Sequence, residues 1–313
     1  MIIPGMVSAT FKDLGIDEVL TIMDRADLKV IEWSENHHII AGNMDMARET
    51  AAKTADHGID IVGYGSYFRL GKDMDIRTSL DTAAEMGCSQ MRIWAGTKAS
   101  GDLNSDERQA LTDELCAVAE IAASYGIILN LEWHKETLTD TNRSALELLR
   151  QVDDPWVRTL WQPTQALSFD ERAEGLEMIL PYLSYFHVYY WDKTGRRPFR
   201  EGLEHWRRYF SLAGKENVYP ALLEFVLADT EEQFFEDVKA LKGLRHRATL
   251  PRGERVQLQV RVRKSLLGCQ VPRGAKRDEG RGMHSYRLPP WRDEHVRKGG
   301  GIAAGDCRWR GRA

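Results

Sequence analysis

The chain reads as a closed (β/α)8 barrel over residues 1–245, followed by a basic tail of different character over residues 246–313. Three observations predict this. Apolar runs of strand length alternate eight times with amphipathic segments of helical period. The runs are continuous rather than alternating, as expected of parallel strands buried on both faces. Eight strand–helix units in about 245 residues is also the size of a closed barrel. An open doubly wound sheet would want a glycine-rich phosphate-binding turn after its first strand, and GMVSATFKD contains no GxGxxG.

Taken in order, the strands begin near Ile2, Leu28, Ile59, Gln90, Ile127, Val157, Leu183 and Tyr219. The clearest helical segments between them are Asp17–Arg25, Asp73–Met86, Ser105–Ser124, Ser144–Gln151, Ser168–Leu180 and Thr230–Leu241. Ser168, with Glu171 three residues on, has the form of a capping box. Gly58, Gly87 and Gly126 stand directly before strands, where a left-handed helix end is wanted. The tail is rich in Arg and Gly and lacks helical period. Only Val256, Leu258, Val260 and Val262 alternate as an edge strand would. Its composition predicts disorder, or an out-of-frame translation.

A hydrophobic share of 42% and a net charge of −4 indicate a soluble globular protein. The mean charge hides an asymmetry. Residues 1–245 hold about 26 Lys and Arg against about 41 Asp and Glu, and the tail about 17 against about 6. The start, MIIPGMVSAT, lacks the basic and apolar regions of a signal peptide. No run approaches the length of a membrane span. Cys88, Cys116, Cys269 and Cys307 form no CxxC pair, so neither a disulfide framework nor a thiolate zinc site is expected. A cytoplasmic setting follows as the default.

Chemistry gathers at four strand ends. Glu132, Gln162, His187 and Glu224 close the runs IILNLE, VRTLWQ, YLSYFH and YPALLE. In a barrel of this kind the ends of successive strands converge on one face, so the four would surround a single point. Two carboxylates, an imidazole and an amide oxygen make a hard donor set suited to Mn²⁺ or Mg²⁺, with Zn²⁺ or Co²⁺ possible. Glu132 and Glu224 could also move protons, one removing a proton next to a carbonyl and the other returning it. The bland alternative is that these glutamates pair with arginines such as Arg92.

Around the same mouth, Trp33, Trp94, Trp133, Trp161 and Trp191 lie at or just past strand ends and offer flat faces to a sugar. The substrate-contact candidates are Trp33, His38, Arg92, Trp94, His134, Trp191 and Arg197. His37, Lys98 and Arg196 are weaker ones that solvated surface would explain equally well.

The segments PGMVSATFKDL, KVIEW, GYGSYFRLG, RIWAGTK, LEWHKETLTDT, WQPTQALS, FHVYYW and ALLEFV resemble the xylose isomerase-like barrel superfamily. More narrowly, they resemble its sugar phosphate isomerases and epimerases. The likeness covers nearly all of residues 1–243. It implies one divalent cation, often Mn²⁺, held by Glu132, Gln162, His187 and Glu224. It also implies that Glu132 and Glu224 are the proton-transfer pair, acting through a cis-enediolate on a small sugar or keto-polyol substrate. Dimers or larger homo-oligomers are implied as well. Gln162 departs from the pattern, standing where many relatives have Asp.

Three other readings remain open. One is an inosose-type dehydratase. A second is an endonuclease IV-like repair enzyme, disfavoured because the acidic body would repel a phosphate backbone. The third is a non-catalytic metabolite binder with a degraded metal site. No nucleic-acid or membrane partner is expected.

Overall fold

The computed structural model describes residues 1–214 and 216–244. The barrel strands are β1 (Ile2–Val7), β2 (Val30–Ser34), β3 (Asp60–Arg69), β4 (Gln90–Trp94), β5 (Ile128–Leu131), β6 (Val157–Trp161) and β7 (Leu183–Val188). A two-residue hairpin follows, β8 (Trp191–Asp192) with β9 (Gly195–Arg196), and the last barrel strand is β10 (Tyr219–Leu223). The eight long strands are parallel and close the ring β1-β10-β7-β6-β5-β4-β3-β2. Every predicted strand start is met within two residues. The tail expected at 246–313 lies outside the described residues.

Around the ring run α1 (Ile16–Arg25), α2 (Met44–Asp56), α3 (Ile76–Glu85), α4 (Ser105–Tyr125), α5 (Asn142–Val152), α6 (Phe169–Ile179), α7 (Leu203–Ala213) and α8 (Glu231–Gly243). The expected capping box at α6 is present. Ser168 Oγ accepts the Glu171 N–H, and the Glu171 carboxylate accepts the Ser168 N–H. Gly58, Gly87 and Gly126 all adopt left-handed backbone. The longest described helix, α4, no more meets a membrane-spanning length and apolarity than the others do.

The period-two alternation of a strand explains where the site sits. One apolar cluster fills the space between strands and helices. A smaller one, with Ile3, Val7, Val30, Val62, Leu160, Tyr185 and Leu222, fills the barrel interior. At Gly5 the packing leaves no room for a side chain, since a Cβ there would lie 2.3 Å from the Val30 carbonyl oxygen. Advancing two residues from Val30, Leu160, Tyr185 and Leu222 of this layer reaches Glu32, Gln162, His187 and Glu224. The same step from the hydrogen-bonded pair Gln90 and Asn130 (3.0 Å) reaches Arg92 and Glu132. Six polar side chains therefore stack above a closed floor.

On the outer wall, Asp237 of α8 accepts the Phe199 N–H (3.0 Å) and the Gln233 amide (2.7 Å), tying the loop after β9 to the helix layer. Burial pushes its pKa up to about 6, against the opposing pull of those two donors. The folded state thus holds the proton more tightly than the unfolded chain, so this group costs stability as pH rises through the interval from the unfolded value toward 6. Asp237→Asn keeps the acceptor oxygen and removes the titration. It should match the parent protein near pH 4 and exceed it by roughly 1–2 kcal/mol above pH 7. Chemical denaturation at the two pH values checks this.

Candidate active site at the barrel mouth

Glu132 and Glu224 follow the last residues of β5 and β10, yet their N–H groups still continue the ladder, to Ile93 O and Val188 O at 3.0 Å each. That register holds the two side chains over the barrel from strands separated by β6 and β7. Gln162 and His187 come from those intervening strands. The structure therefore brings all four predicted residues to one rim, each nearly or fully buried.

The contacts run in pairs around the ring. Gln162 Nε2 donates to Glu132 Oε1 (3.2 Å) and to the Trp133 carbonyl (2.6 Å). Arg92 Nη1 meets Glu132 Oε2 at 3.0 Å, so the arginine pairing raised as the bland alternative is real for this glutamate. His187 lies between two carboxylates, with Nε2 at 3.2 Å from Glu32 and Nδ1 at 3.3 Å from Glu224. Burial disfavours the charged imidazole, but Glu32 and Glu224 outweigh it and raise its pKa to about 10. Arg92 follows the same logic. Burial opposes its charge, and Glu132, Glu32 and Glu224 more than restore it.

Sequence reasoning missed Glu32, which is fully buried in β2. It accepts the Tyr185 hydroxyl at 2.7 Å and faces Arg92 Nε at 3.9 Å. Burial alone would raise its pKa, but His187, Arg92 and Tyr185 bring it below the ordinary carboxylate value. A signal was available. A carboxylate inside the run VIEW cannot be buried unpaired, and it stands two residues past the inward-facing Val30.

The same alternation corrects the tryptophan ring. Trp33, expected to touch substrate, is the neighbour of inward-facing Glu32 and so faces the helices. It is fully buried, and its indole N–H is donated to Thr54 of α2 at 3.1 Å. Trp133 likewise donates to Thr159, and Trp161 packs edge-on against Trp206 and Tyr209 of α7. These three brace the wall.

Trp94, two residues past Arg92, does reach the mouth and stacks on His134 at 4.3 Å, and the Arg69 guanidinium lies over its ring at 3.2 Å. Tyr67 stacks beside Trp94 and shares a 3.2 Å hydrogen bond with His37. Tyr67 and Arg69 were also missed. Tyr67 lies with its ring centroid 5.8 Å from the Arg92 guanidinium, and Arg69 packs on Trp94, so both border the site.

The remaining candidates separate. Trp191 packs against Tyr189 and Phe225 beneath Arg196. His38 is buried edge-on against Trp33, and burial holds its pKa below the usual value. Arg197 does not join the ring, because Glu201 (2.9 Å) and Asp192 (3.4 Å) hold it locally at a more exposed position. Lys98 is exposed and paired with Glu107.

Two observations bear on a metal. Each of the four candidate ligands keeps one buried donor atom without a hydrogen-bond partner: Glu132 Oε2, Gln162 Oε1, His187 Nδ1 and Glu224 Oε2. The Arg92 and Glu224 contacts noted above bring charges together without the alignment of a hydrogen bond. Among the described residues, however, no three His, Cys, Asp or Glu side chains form a ready metal cluster. One of the four is an amide, and Glu132 is taken up by Arg92. The donor chemistry fits a hard divalent cation, with Gln162 as the odd member.

Comparison with known proteins agrees with the architecture. The 3-dehydroshikimate dehydratase of Bacillus anthracis is 24% identical over 145 residues, 42% of this chain and 50% of that protein. The chain thus spans about half the length of this curated relative. The crystal structure of the probable 3-DHS dehydratase AsbF from Bacillus anthracis superposes with a TM-score of 0.65 at 18% identity, covering 77% of this chain and 99% of that one. D-psicose 3-epimerase from Clostridium cellulolyticum H10, solved with D-tagatose, gives 0.57 at 14% identity, covering 77% and 97%. Identities this low establish a common fold. Residues 12–244 match the xylose isomerase-like TIM barrel family, and the chain belongs to it.

Proposed function

We propose that the chain is a divalent-metal-dependent isomerase or epimerase of a small ketose or related keto-polyol. One observation carries this reading. Glu132 and Glu224 stand on the same rim from strands with two others between them, each with a buried oxygen free of hydrogen bonds. Such a pair can take a proton from one face of a carbon next to a carbonyl and return one to the other.

Glu132, Gln162, His187 and Glu224 would hold the cation, with Mn²⁺ the first expectation and Mg²⁺, Co²⁺ or Zn²⁺ the alternatives. When bound, it would polarise the substrate carbonyl and so acidify the neighbouring C–H. Gln162, through its amide donor to Glu132 Oε1, and Arg92, facing Oε2, together fix the orientation of that carboxylate. Arg92 supplies positive charge where an enediolate oxygen would develop. The wall of Tyr67, Trp94 and His134 offers stacked aromatic faces to the C–H face of a sugar.

A second reading is dehydration, favoured by the resemblance to 3-dehydroshikimate dehydratase. It begins with the same proton abstraction and ends with loss of a β-hydroxyl, so one carboxylate serves as base and a second proton donor assists the leaving group. Incubating the Mn²⁺-loaded protein in D₂O, with ketoses in one series and 3-dehydroshikimate in another, separates the two. Solvent deuterium at the carbon beside the carbonyl, without water loss, supports isomerisation or epimerisation. A new aromatic absorption with 3-dehydroshikimate supports the dehydratase. No exchange and no water loss, with metal analysis well below one ion per chain, would remove both.

A further inference from the structure

Glu32 has no role in the scheme above, yet its surroundings are specific. Its Oε2 collects two donors from β7, the Tyr185 hydroxyl at 2.7 Å and His187 Nε2 at 3.2 Å. Its Oε1 faces Arg92 and lies over Gly65. A Cβ at Gly65 would come within 2.6 Å of that oxygen and 3.2 Å of Arg92 Nη2. The absent side chain at Gly65 therefore clears the space that Glu32 and Arg92 occupy, and the Gly65 carbonyl accepts from Arg92 Nη2 at 3.2 Å. Three strands, β2, β4 and β7, are tied through one carboxylate.

Consider what this does to His187. In the neutral ring that metal ligation requires, donation of Nε2–H to Glu32 leaves the lone pair at Nδ1. Nδ1 faces Glu224 at 3.3 Å and has no hydrogen-bond partner of its own. The opposite tautomer would put a lone pair against the Glu32 carboxylate and a proton toward the site. Tyr185 reinforces the choice. Its hydroxyl donates to the same oxygen and helps hold it against His187.

We propose that Glu32 is a positioning residue: by accepting Nε2–H it fixes the ring and tautomer of His187, so that Nδ1 is directed into the site as a ligand for a divalent cation. The inference rests on the metal reading of the proposed function and assigns a determinant to it. A carboxylate behind a metal-bound imidazole raises the basicity of the ligand and limits its motion, and losing it typically costs 10–100-fold in affinity.

The test uses full-length protein, with Co²⁺ as a visible probe and Mn²⁺ by calorimetry. Glu32→Ala should weaken both ions about 10–100-fold and shift the Co²⁺ d–d bands. Glu32→Gln, nearly isosteric and still able to accept one hydrogen bond, should bring the bands part of the way back to those of the parent and restore part of the affinity. If Glu32→Ala does not fold, Glu32→Gln and Tyr185→Phe carry the test. Each should show a smaller loss, of a few-fold, with an altered Co²⁺ spectrum.

A folded variant with unchanged affinity and an unchanged spectrum overturns the proposal. If the parent protein itself binds neither ion, the metal reading fails instead, and the positioning of the ring is judged by proton NMR. A downfield Nε2–H resonance assigned to His187, moved or lost in Glu32→Gln, supports the hydrogen bond. A resonance that Glu32→Gln leaves unchanged overturns it.

Discussion

Glu224→Gln and Glu132→Gln should each lower turnover about 10²–10⁴-fold, the range lost when a positioned proton-transfer group is removed, while leaving the barrel folded. The amide keeps the volume of the carboxylate and cannot take up a proton. The informative readout is exchange with solvent rather than turnover alone. In an epimerase the two carboxylates serve opposite faces of the carbon, so either substitution abolishes inversion. One variant should nevertheless retain deuterium exchange on the face served by its surviving carboxylate. Loss of exchange in one variant alone, with the other near parent activity, would instead identify a single base, as a dehydratase requires. Proton NMR of recovered substrate in D₂O distinguishes the two outcomes.

Arg92→Met should destabilise the protein by about 3–5 kcal/mol, the usual consequence of stripping one partner from a buried charge set. Arg92 is the cation facing both Glu32 and Glu132, at 3.9 and 3.0 Å, and both carboxylates are buried. Removing it leaves them to be protonated, or to repel each other. Arg92→Lys should recover only part of the loss, because a point charge cannot serve two acceptors set apart around a planar fork. The sign can be checked independently. Adding Glu132→Gln to Arg92→Met should cost less than the sum of the single changes, since it removes the charge left unpaired. Urea denaturation of the four proteins gives the cycle.

The barrel was legible because its signal is redundant. Eight continuous apolar runs, each with a helix-length spacer, leave little else to build, and the strand starts fell within two residues. Two helices escaped for different reasons. The core face of α2 consists of Ala47, Thr50 and Thr54, too small and polar to register as an apolar stripe. Helix α7 carries a readable stripe, Trp206, Tyr209, Phe210 and Ala213, but follows a long loop whose hairpin strands are only two residues each.

The site was half legible. Residue type at strand ends picked out Glu132, Gln162, His187 and Glu224, which the fold brings to one rim, because parallel-barrel strand ends converge there. Facing was the missing quantity. Trp33 was chosen for its flat ring, while its neighbour Glu32 is the residue that points inward. Counting parity from the apolar interior layer would have exchanged the two. Tyr67 and Arg69 were harder to find. Register shifts in the pairing of β3 with its neighbours break the simple count that serves the other strands.

The apolar floor beneath the six polar side chains has a kinetic meaning. Ile3, Val30, Val62, Leu160 and Leu222 fill the barrel below the site, so under the proposed reaction reactant and product would share the mouth. Under the proposed reaction a bound product would fill the place of the next reactant, so its inhibition should be competitive.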